Sequence, residues 1–227
     1  MRPEPKQQVL AVPAAVLWDM DGTLVDTEPS WIEAEYALVG EHGGQWSDEL
    51  ALELVGNPLL VSAEFIREHG GVDLPPEEIV QRLMAHVIDG VRESAPWRPG
   101  ALELVRRLSA AGVPQALVTM SWTPLAAAVV KHLPPDTFAS IVTGDRVTHG
   151  KPHPEPYLTA LRDLDVPASR AVAIEDSPTG LASAEAAGVA TIGVPHVLPL
   201  AQAPGRRVLA TLLGLDLEDL LPLVSKP

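Results

Sequence analysis

The run Ala15-Val16-Leu17-Trp18-Asp19-Met20-Asp21-Gly22-Thr23-Leu24-Val25-Asp26 decides how the rest of the chain is read. An apolar, strand-like stretch stops abruptly in two acids one residue apart, followed by Gly-Thr. Strand alternation predicts that Asp19 and Asp21 project the same way. Two carboxylates on one side repel unless a cation or a shared proton lies between them. A hard divalent metal is the usual solution, and Mg²⁺ suits a site with few protein oxygens and several waters. Gly22 lets the backbone turn tightly and leaves amides free for an anion. An Asp-rich turn closing a strand is the ordinary alternative.

Working outward, short continuous apolar segments recur at 14–18, 114–119, 139–143, 171–175 and 189–193. Such segments are expected of strands buried on both faces of a parallel sheet. Helical periodicity lies between them, over about 101–111, 124–132, 154–164 and 178–187. Gly112 and Gly188 each stop a helix before a strand. Alternating helix and strand predicts an α/β fold, a doubly wound, mostly parallel sheet, with its site beyond the carboxyl ends of the strands.

A long helical interruption separates the first two strands, with segments at about 28–42, 47–55, 59–69 and 76–94. It is too long for a simple crossover. The expected organisation is therefore a flexible N-terminal tail (1–13), an α/β core (14–27 and 97–227) and an inserted all-helical unit (28–96). Asp26-Thr27-Glu28-Pro29 and Ala95-Pro96-Trp97-Arg98-Pro99 are the expected hinges. After residue 195 the pattern suggests a helix or loop near 199–203, a β-like Arg207-Val208-Leu209 and a short helix at 216–223, with Pro-rich, mobile ends.

A formal net charge of −14 argues against nucleic acid or an anionic membrane as partner, since both demand a basic surface. No apolar run approaches the ~20 residues of a membrane helix, and the polar N-terminus lacks a signal-peptide core. With no cysteine, disulfides and thiolate chemistry are excluded. A cytoplasmic protein is the expected outcome, with a monomer as the default. An acidic chain can still hold a phosphate through one lysine and one bound cation. Of the four lysines (Lys6, Lys131, Lys151 and Lys226), Lys151 stands out in its Gly-Lys-Pro turn.

Four segments together resemble the haloacid dehalogenase-like hydrolase superfamily, in the branch holding β-phosphoglucomutase and small sugar-phosphate phosphatases. They are Asp19-Met20-Asp21-Gly22-Thr23, the strand Ala116-Leu117-Val118-Thr119-Met120-Ser121, Gly150-Lys151-Pro152, and Val172-Ala173-Ile174-Glu175-Asp176-Ser177. Order, spacing and strand context agree over roughly residues 15–195. Read singly, each has an ordinary explanation: a solvated lysine, a strand threonine, an acidic helix cap.

The resemblance implies a Rossmann-like core with a helical cap and an aspartyl-phosphate mechanism. Asp19 would be the nucleophile and Asp21 the general acid and base. Thr119, Lys151 and the Met120 amide would bind the phosphoryl group. Mg²⁺ would be held by Asp19, the Asp21 carbonyl and Asp176, with Glu175 binding directly or through water. Ser121 and Ser177 would support these groups or simply cap helices.

Subclass follows from the same comparison. Family dehalogenases lack an acid where Asp21 stands, and family phosphonate hydrolases need a cap lysine, absent from 26–96. The β-phosphoglucomutase pattern has His where Trp31 aligns and Arg where Leu59 aligns. The expected function is a Mg²⁺-dependent phosphomonoesterase for a small phosphorylated metabolite, a sugar or polyol phosphate. A phosphosugar mutase or a non-catalytic phosphate-binding module are the alternatives. Glu28 and Asn57, with Trp31, Glu35 and Arg98, are candidates for contacting the leaving group, although Trp31 also suits the cap's own packing. His42, His69 and His86 read as exposed helix residues; His149 and His153 flank Lys151.

Overall fold

The computed structural model describes residues 13–223, with side chains through residue 220. The expected N-terminal tail, but for Pro13, and the expected mobile C-terminal end after 223 lie outside the described residues.

Six strands form one wholly parallel sheet: β1 (Ala15–Trp18), β2 (Gln115–Val118), β3 (Ser140–Val142), β4 (Ala171–Glu175), β5 (Ala190–Gly193) and β6 (Arg206–Val208). Their order is β3-β2-β1-β4-β5-β6. Val16 lies opposite Gln115 on one side and Val172 on the other, so β1 is fully enclosed. The chain winds outward from β1 to β3, then returns to place β4 beside β1. That reversal makes the carboxyl ends of β1 and β4 the place where a crevice opens.

Alternation along the strands gives the two faces different sizes. Val16, Trp18, Leu117, Val172 and Ile174 point to one face and pack with helices α5 (Ala101–Ala110) and α6 (Thr123–Val130). Ala15, Leu17, Ala116, Val118, Ala171 and Ala173, four of the six being alanine, point to the other, where α7 (Glu155–Leu164) and α8 (Pro178–Ala186) cover the sheet. Small residues on that face allow close helix packing. The Trp18 indole, buried beneath α5, donates to Gln115 Oε1 at 2.9 Å, so burial of this polar edge leaves no unpaired donor.

Between β1 and α5 lie four helices: α1 (Glu28–Glu41), α2 (Asp48–Leu52), α3 (Leu59–Gly70) and α4 (Pro76–Glu93). In α4 the buried positions Ile79, Val80, Leu83, Met84, Val87, Ile88 and Val91 repeat at helical spacing. They join these helices to the larger-residue face of the sheet in one apolar cluster. The run into and out of the four helices is pinned by an antiparallel bridge between Val25 and Trp97 and by Asp26 N–H donating to Pro96 O at 2.7 Å.

Two expectations need correction, and one open alternative is resolved. The helix expected over 47–55 is only α2, because the chain turns through Gly56 at φ +77°. Of the two alternatives for 199–203, helix or loop, the loop is found, and the expected β-like segment after it pairs as β6 at the sheet edge. The short C-terminal helix is a 3₁₀ segment, Leu217–Leu223.

Candidate active site

Strand pairing ends at Trp18, so Asp19 and Asp21 share a cavity for a reason other than strand alternation. The backbone turns through Gly22, whose φ is +80°, and Asp21 forms an isolated bridge with Val25. A Cβ at Gly22 would overlap the Asp176 carboxylate, so glycine is required both for the turn and for the approach of the β4 acid.

The acid at the end of β1 meets the lysine first. Lys151 Nζ donates to Asp19 Oδ1 at 2.7 Å, to Glu175 Oε1 at 2.6 Å and to the Val118 carbonyl at 2.9 Å, which accounts for all three ammonium protons. Glu175 is further held by the Tyr157 hydroxyl at 2.8 Å and by Ser177 Oγ at 3.2 Å. A Cβ at Gly180 would overlap the Glu175 carboxylate, so α8 can begin this close only without one. Ser177 also caps α8, accepting the Gly180 N–H at 3.0 Å.

Asp21 is oriented by four donors. Thr27 Oγ1 (2.6 Å) and Trp31 Nε1 (3.4 Å) reach Oδ1; Ser121 Oγ (2.7 Å) and Thr119 Oγ1 (3.2 Å) reach Oδ2. Two of them come from the start of the helical segment and two from the end of β2. Met120 Sδ accepts the Lys151 N–H at 3.2 Å, which ties the lysine turn to the β2 loop.

Charge in this crevice does not balance. Asp19, Glu175 and Asp176 bring ligand oxygens within 4.8 Å of one another, and all three are buried. Three carboxylates against the Lys151 ammonium leave two negative charges. Burial first, and then the Glu175 charge, push the Asp19 carboxyl up to about 7 despite Lys151. Burial, with Asp19 and Glu175 beside it, raises Asp176 well above the usual carboxylate range. For Lys151 burial acts to lower the pKa, but the charges of Asp19 and Glu175 outweigh it and hold the ammonium above its ordinary range. Asp19 Oδ2 is buried with no hydrogen-bond partner among the described residues. An orphaned carboxylate oxygen beside an excess of two negative charges fits a hard divalent cation.

The expected substrate residues divide. Glu28, Trp31, Glu35 and Asn57 line the cavity above Asp19; Arg98 does not, and its Nη2 donates to Pro195 O at 3.3 Å. Trp31 does both things considered for it, packing in the apolar cluster and donating to Asp21. Glu35 Oε2 accepts from Trp46 Nε1 at 3.1 Å. His149 and His153 stand outside the cavity: His149 Nδ1 is 2.9 Å from Glu155 Oε2, and the two rings are 4.6 Å apart. Thr27, Tyr157 and Trp46 escape the sequence reading. For Tyr157 the available signal is its place with Ala160 and Leu161 among the buried positions of α7.

Residues 16–194 match the family described as haloacid dehalogenase-like hydrolase, and the chain belongs to that family. Among similar proteins, hexitol phosphatase B of Escherichia coli (strain K12) is 31% identical over 219 residues, covering 93% of this chain and 95% of that protein. Fructose-1-phosphate phosphatase YqaB of the same strain is 30% identical over 182 residues, 80% and 96% of the two chains. The crystal structure of CbbY from Rhodobacter sphaeroides in complex with phosphate superposes with a TM-score of 0.80 at 30% identity, covering 89% of this chain and 96% of that one. Among the described residues, no helix is long and apolar enough to cross a membrane.

Proposed function

We propose that this protein is a Mg²⁺-dependent phosphomonoesterase that hydrolyses a small phosphorylated metabolite, a sugar or polyol phosphate, through an aspartyl-phosphate on Asp19. The observation that carries the reading is Asp19 itself: one oxygen is fixed by Lys151 and the other is buried and unpartnered, at the crevice where the sheet reverses. The relatives named above as sugar-phosphate and hexitol phosphatases support it.

Asp19, Asp176 and the Asp21 backbone carbonyl would hold Mg²⁺. Glu175, whose two oxygens already accept from Lys151, Tyr157 and Ser177, would act through a water. The bound cation supplies neutralisation of charge between a carboxylate nucleophile and a dianionic phosphate.

An Asp19 oxygen attacks phosphorus, an O–P bond forms, and the bond to the leaving oxygen breaks as Asp21 delivers a proton to it. Asp21 then takes a proton from water, whose oxygen attacks phosphorus and releases Asp19. Thr119, the Met120 amide and Lys151 would bind the phosphoryl oxygens, Lys151 turning one of its three ammonium protons from its present acceptors to the phosphate, and most of the rate comes from this positioning and charge stabilisation. Residues 28–96 act as a cap hinged at Asp26–Pro29 and Ala95–Pro99, over a core of 14–27 and 97–227, and exclude water from the transfer. Gly56 approaches Ser177 and Pro58 approaches Gly150, contacts that a closed cap needs.

The test is phosphate release from p-nitrophenyl phosphate and from a panel of sugar and polyol phosphates, with Mg²⁺, with EDTA and with Asp19→Asn. Turnover lost in both controls is the expected result. A folded, Mg²⁺-binding protein that turns over no member of the panel overturns the reading in favour of a binding module. Isomerisation of a sugar phosphate primed by its bisphosphate, with slow hydrolysis, overturns it in favour of a mutase.

A further inference from the structure

The segment Thr148-His149-Gly150-Lys151-Pro152-His153-Pro154-Glu155 carries three ligand-type side chains that the proposed reaction leaves unused. His149, His153 and Glu155 each offer one ligand atom, and these atoms lie within 4.8 Å of one another. All three stand outside the cavity over Asp19. His149 and His153 are exposed, whereas Lys151 between them is buried. Contacts within the segment hold the cluster in shape. Glu155, the first residue of α7, accepts the Thr148 N–H at 2.7 Å on Oε1 and the His149 N–H at 3.0 Å on Oε2. The Thr148 N–H, and after it the His149 ring, hold this carboxyl below the usual carboxylate range, so it is charged at neutral pH. His149 Nδ1 lies 2.9 Å from Oε2, and the His153 ring is 4.6 Å from the His149 ring. His153 Nδ1 accepts the Glu155 N–H at 3.2 Å. The His153 backbone is fixed on both sides, its N–H donating to Gly150 O at 3.0 Å and its carbonyl accepting from Ser183 Oγ at 2.6 Å.

The geometry points to a transition-metal site on the outside of the lysine turn, taking a borderline-soft divalent cation such as Zn²⁺ through His149, His153 and Glu155. It is independent of the phosphatase reading and of the Mg²⁺ proposed at Asp19. Two imidazoles and one carboxylate suit Zn²⁺, Ni²⁺ or Cu²⁺, whereas Mg²⁺ prefers oxygen alone. The cation takes the place of the proton between His149 Nδ1 and Glu155 Oε2, and a ring nitrogen of His153 is the third ligand. Zn–N and Zn–O bonds of ~2.0–2.1 Å put tetrahedral ligands ~3.3 Å apart. The 2.9 Å pair is already close to that spacing. Turning the exposed His153 ring, at the expense of its long contact with the Glu155 N–H, brings in the third ligand. Water fills the fourth position. A cation bonded to residues 149, 153 and 155 closes a ring around Gly150, Lys151 and Pro152. It stiffens the backbone from which Lys151 reaches Asp19 and Glu175.

The experiment titrates the metal-free full chain with Zn²⁺ against a chromophoric chelator, in excess Mg²⁺, at about pH 7.5, where imidazole is neutral. The wild type is expected to take up one Zn²⁺ with a dissociation constant on the order of 1–10 μM. His149→Ala and His153→Ala should each weaken uptake by at least about 10-fold, and Asp19→Asn should leave it unchanged. Zn²⁺ at about 100 times the dissociation constant should raise the wild-type melting temperature by about 5 °C, and raise it less in the histidine variants. A second measurement needs no variant to fold. In the wild type, Zn²⁺ should protect His149 and His153 from carbethoxylation by diethyl pyrocarbonate, read by peptide mass, and should not protect the exposed His69 on α3. The site is overturned if the wild type takes up no Zn²⁺ below about 100 μM, if both histidine variants keep wild-type uptake, or if His149 and His153 are protected no better than His69. Uptake lost in Asp19→Asn also overturns it, because the cation then sits among the acids at the ends of β1 and β4.

Discussion

Lys151 Nζ lies 2.6 Å from Glu175 Oε1, and both side chains are withdrawn from water, at 3% and 0% exposure. The same ammonium is 2.7 Å from Asp19 Oδ1. One cation therefore holds together the ends of β1 and β4 and the loop before α7. The pair is structural as well as chemical, because each partner is costly to bury without the other.

Replacing that cation exposes its cost. Lys151→Met is expected to lose ~3–5 kcal/mol of stability near neutral pH, since the acids it pairs stay buried without it. The loss should shrink as the pH falls below about 7, the value to which Asp19 is already raised, because a protonated Asp19 needs no counter-charge. Urea unfolding of variant and wild type at acid and neutral pH checks this; a pH-independent loss would contradict it.

Asp21 is aimed by hydroxyls from two directions. Removing one, as Thr27→Val or Ser121→Ala, should cost only ~1 kcal/mol of stability. Its effect on turnover should be larger, a fall in kcat of about 10- to 100-fold with KM little changed, if Asp21 is the proton donor proposed above, because it then loses its position while the phosphate site remains. Steady-state kinetics beside a melting curve separate the two effects. A loss confined to KM would count against the assigned role of Asp21.

Glu35 carries a pH signature of its own. Burial raises its carboxyl from 4.5 to about 7, against the lowering effect of the Trp46 hydrogen bond. The folded protein thus keeps a proton that the unfolded chain has lost, and stability falls as the pH rises from about 4.5 to about 7. Glu35→Gln removes this dependence while its carbonyl can still accept from Trp46. The variant should be more stable than wild type above about pH 7 by on the order of 1–3 kcal/mol, and no more stable below about pH 4.5. Denaturant midpoints across that range measure it.

Metal binding should be proton-linked. If a divalent cation takes the free oxygen of Asp19, it must displace the proton that this group retains up to about 7. The rise in melting temperature on adding Mg²⁺ should therefore be larger at about pH 8 than at about pH 6, should be reversed by EDTA, and should be lost in Asp19→Asn. An equal shift at both pH values, or one retained by the variant, would place the cation elsewhere.

Much of the fold was legible because its cues are local. Apolar runs such as Val172-Ala173-Ile174 stand out without any knowledge of their neighbours, and Gly112 and Gly188 mark where helices end. The sheet-edge strand Arg206–Val208 was harder to bound, since it is only half buried and its sequence carries little apolar signal. The helix expected to reach residue 55 overshot because Gly56 and Pro58 act together with a close approach to Ser177. In the site, Asp19, Asp21 and Lys151 could be picked out by their positions at a strand end or in the lysine turn, and Thr119, Glu175 and Asp176 through the resemblance of their segments to the family's motifs. Thr27, Tyr157 and Trp46 could not, because nothing in a neighbouring residue says that a hydroxyl or indole will meet an acid.

The sequence by itself determined the order of strands and helices, the long helical insertion after the first strand, and the placing of polar groups just past apolar runs. These follow from periodicity and from residues that end an element, which act over a few positions. Only the tertiary structure decided who pairs with whom. Asp19 and Lys151 are 132 positions apart in the chain, and Asp21 and Ser121 are 100 apart. Their distances depend on the lateral order of β2, β1 and β4 and on how closely α7 and α8 settle on the alanine face. Burial, and with it the raised carboxyls of Asp19, Glu28 and Glu35, is a property of that packing, since the cost of a charge depends on what surrounds it in space.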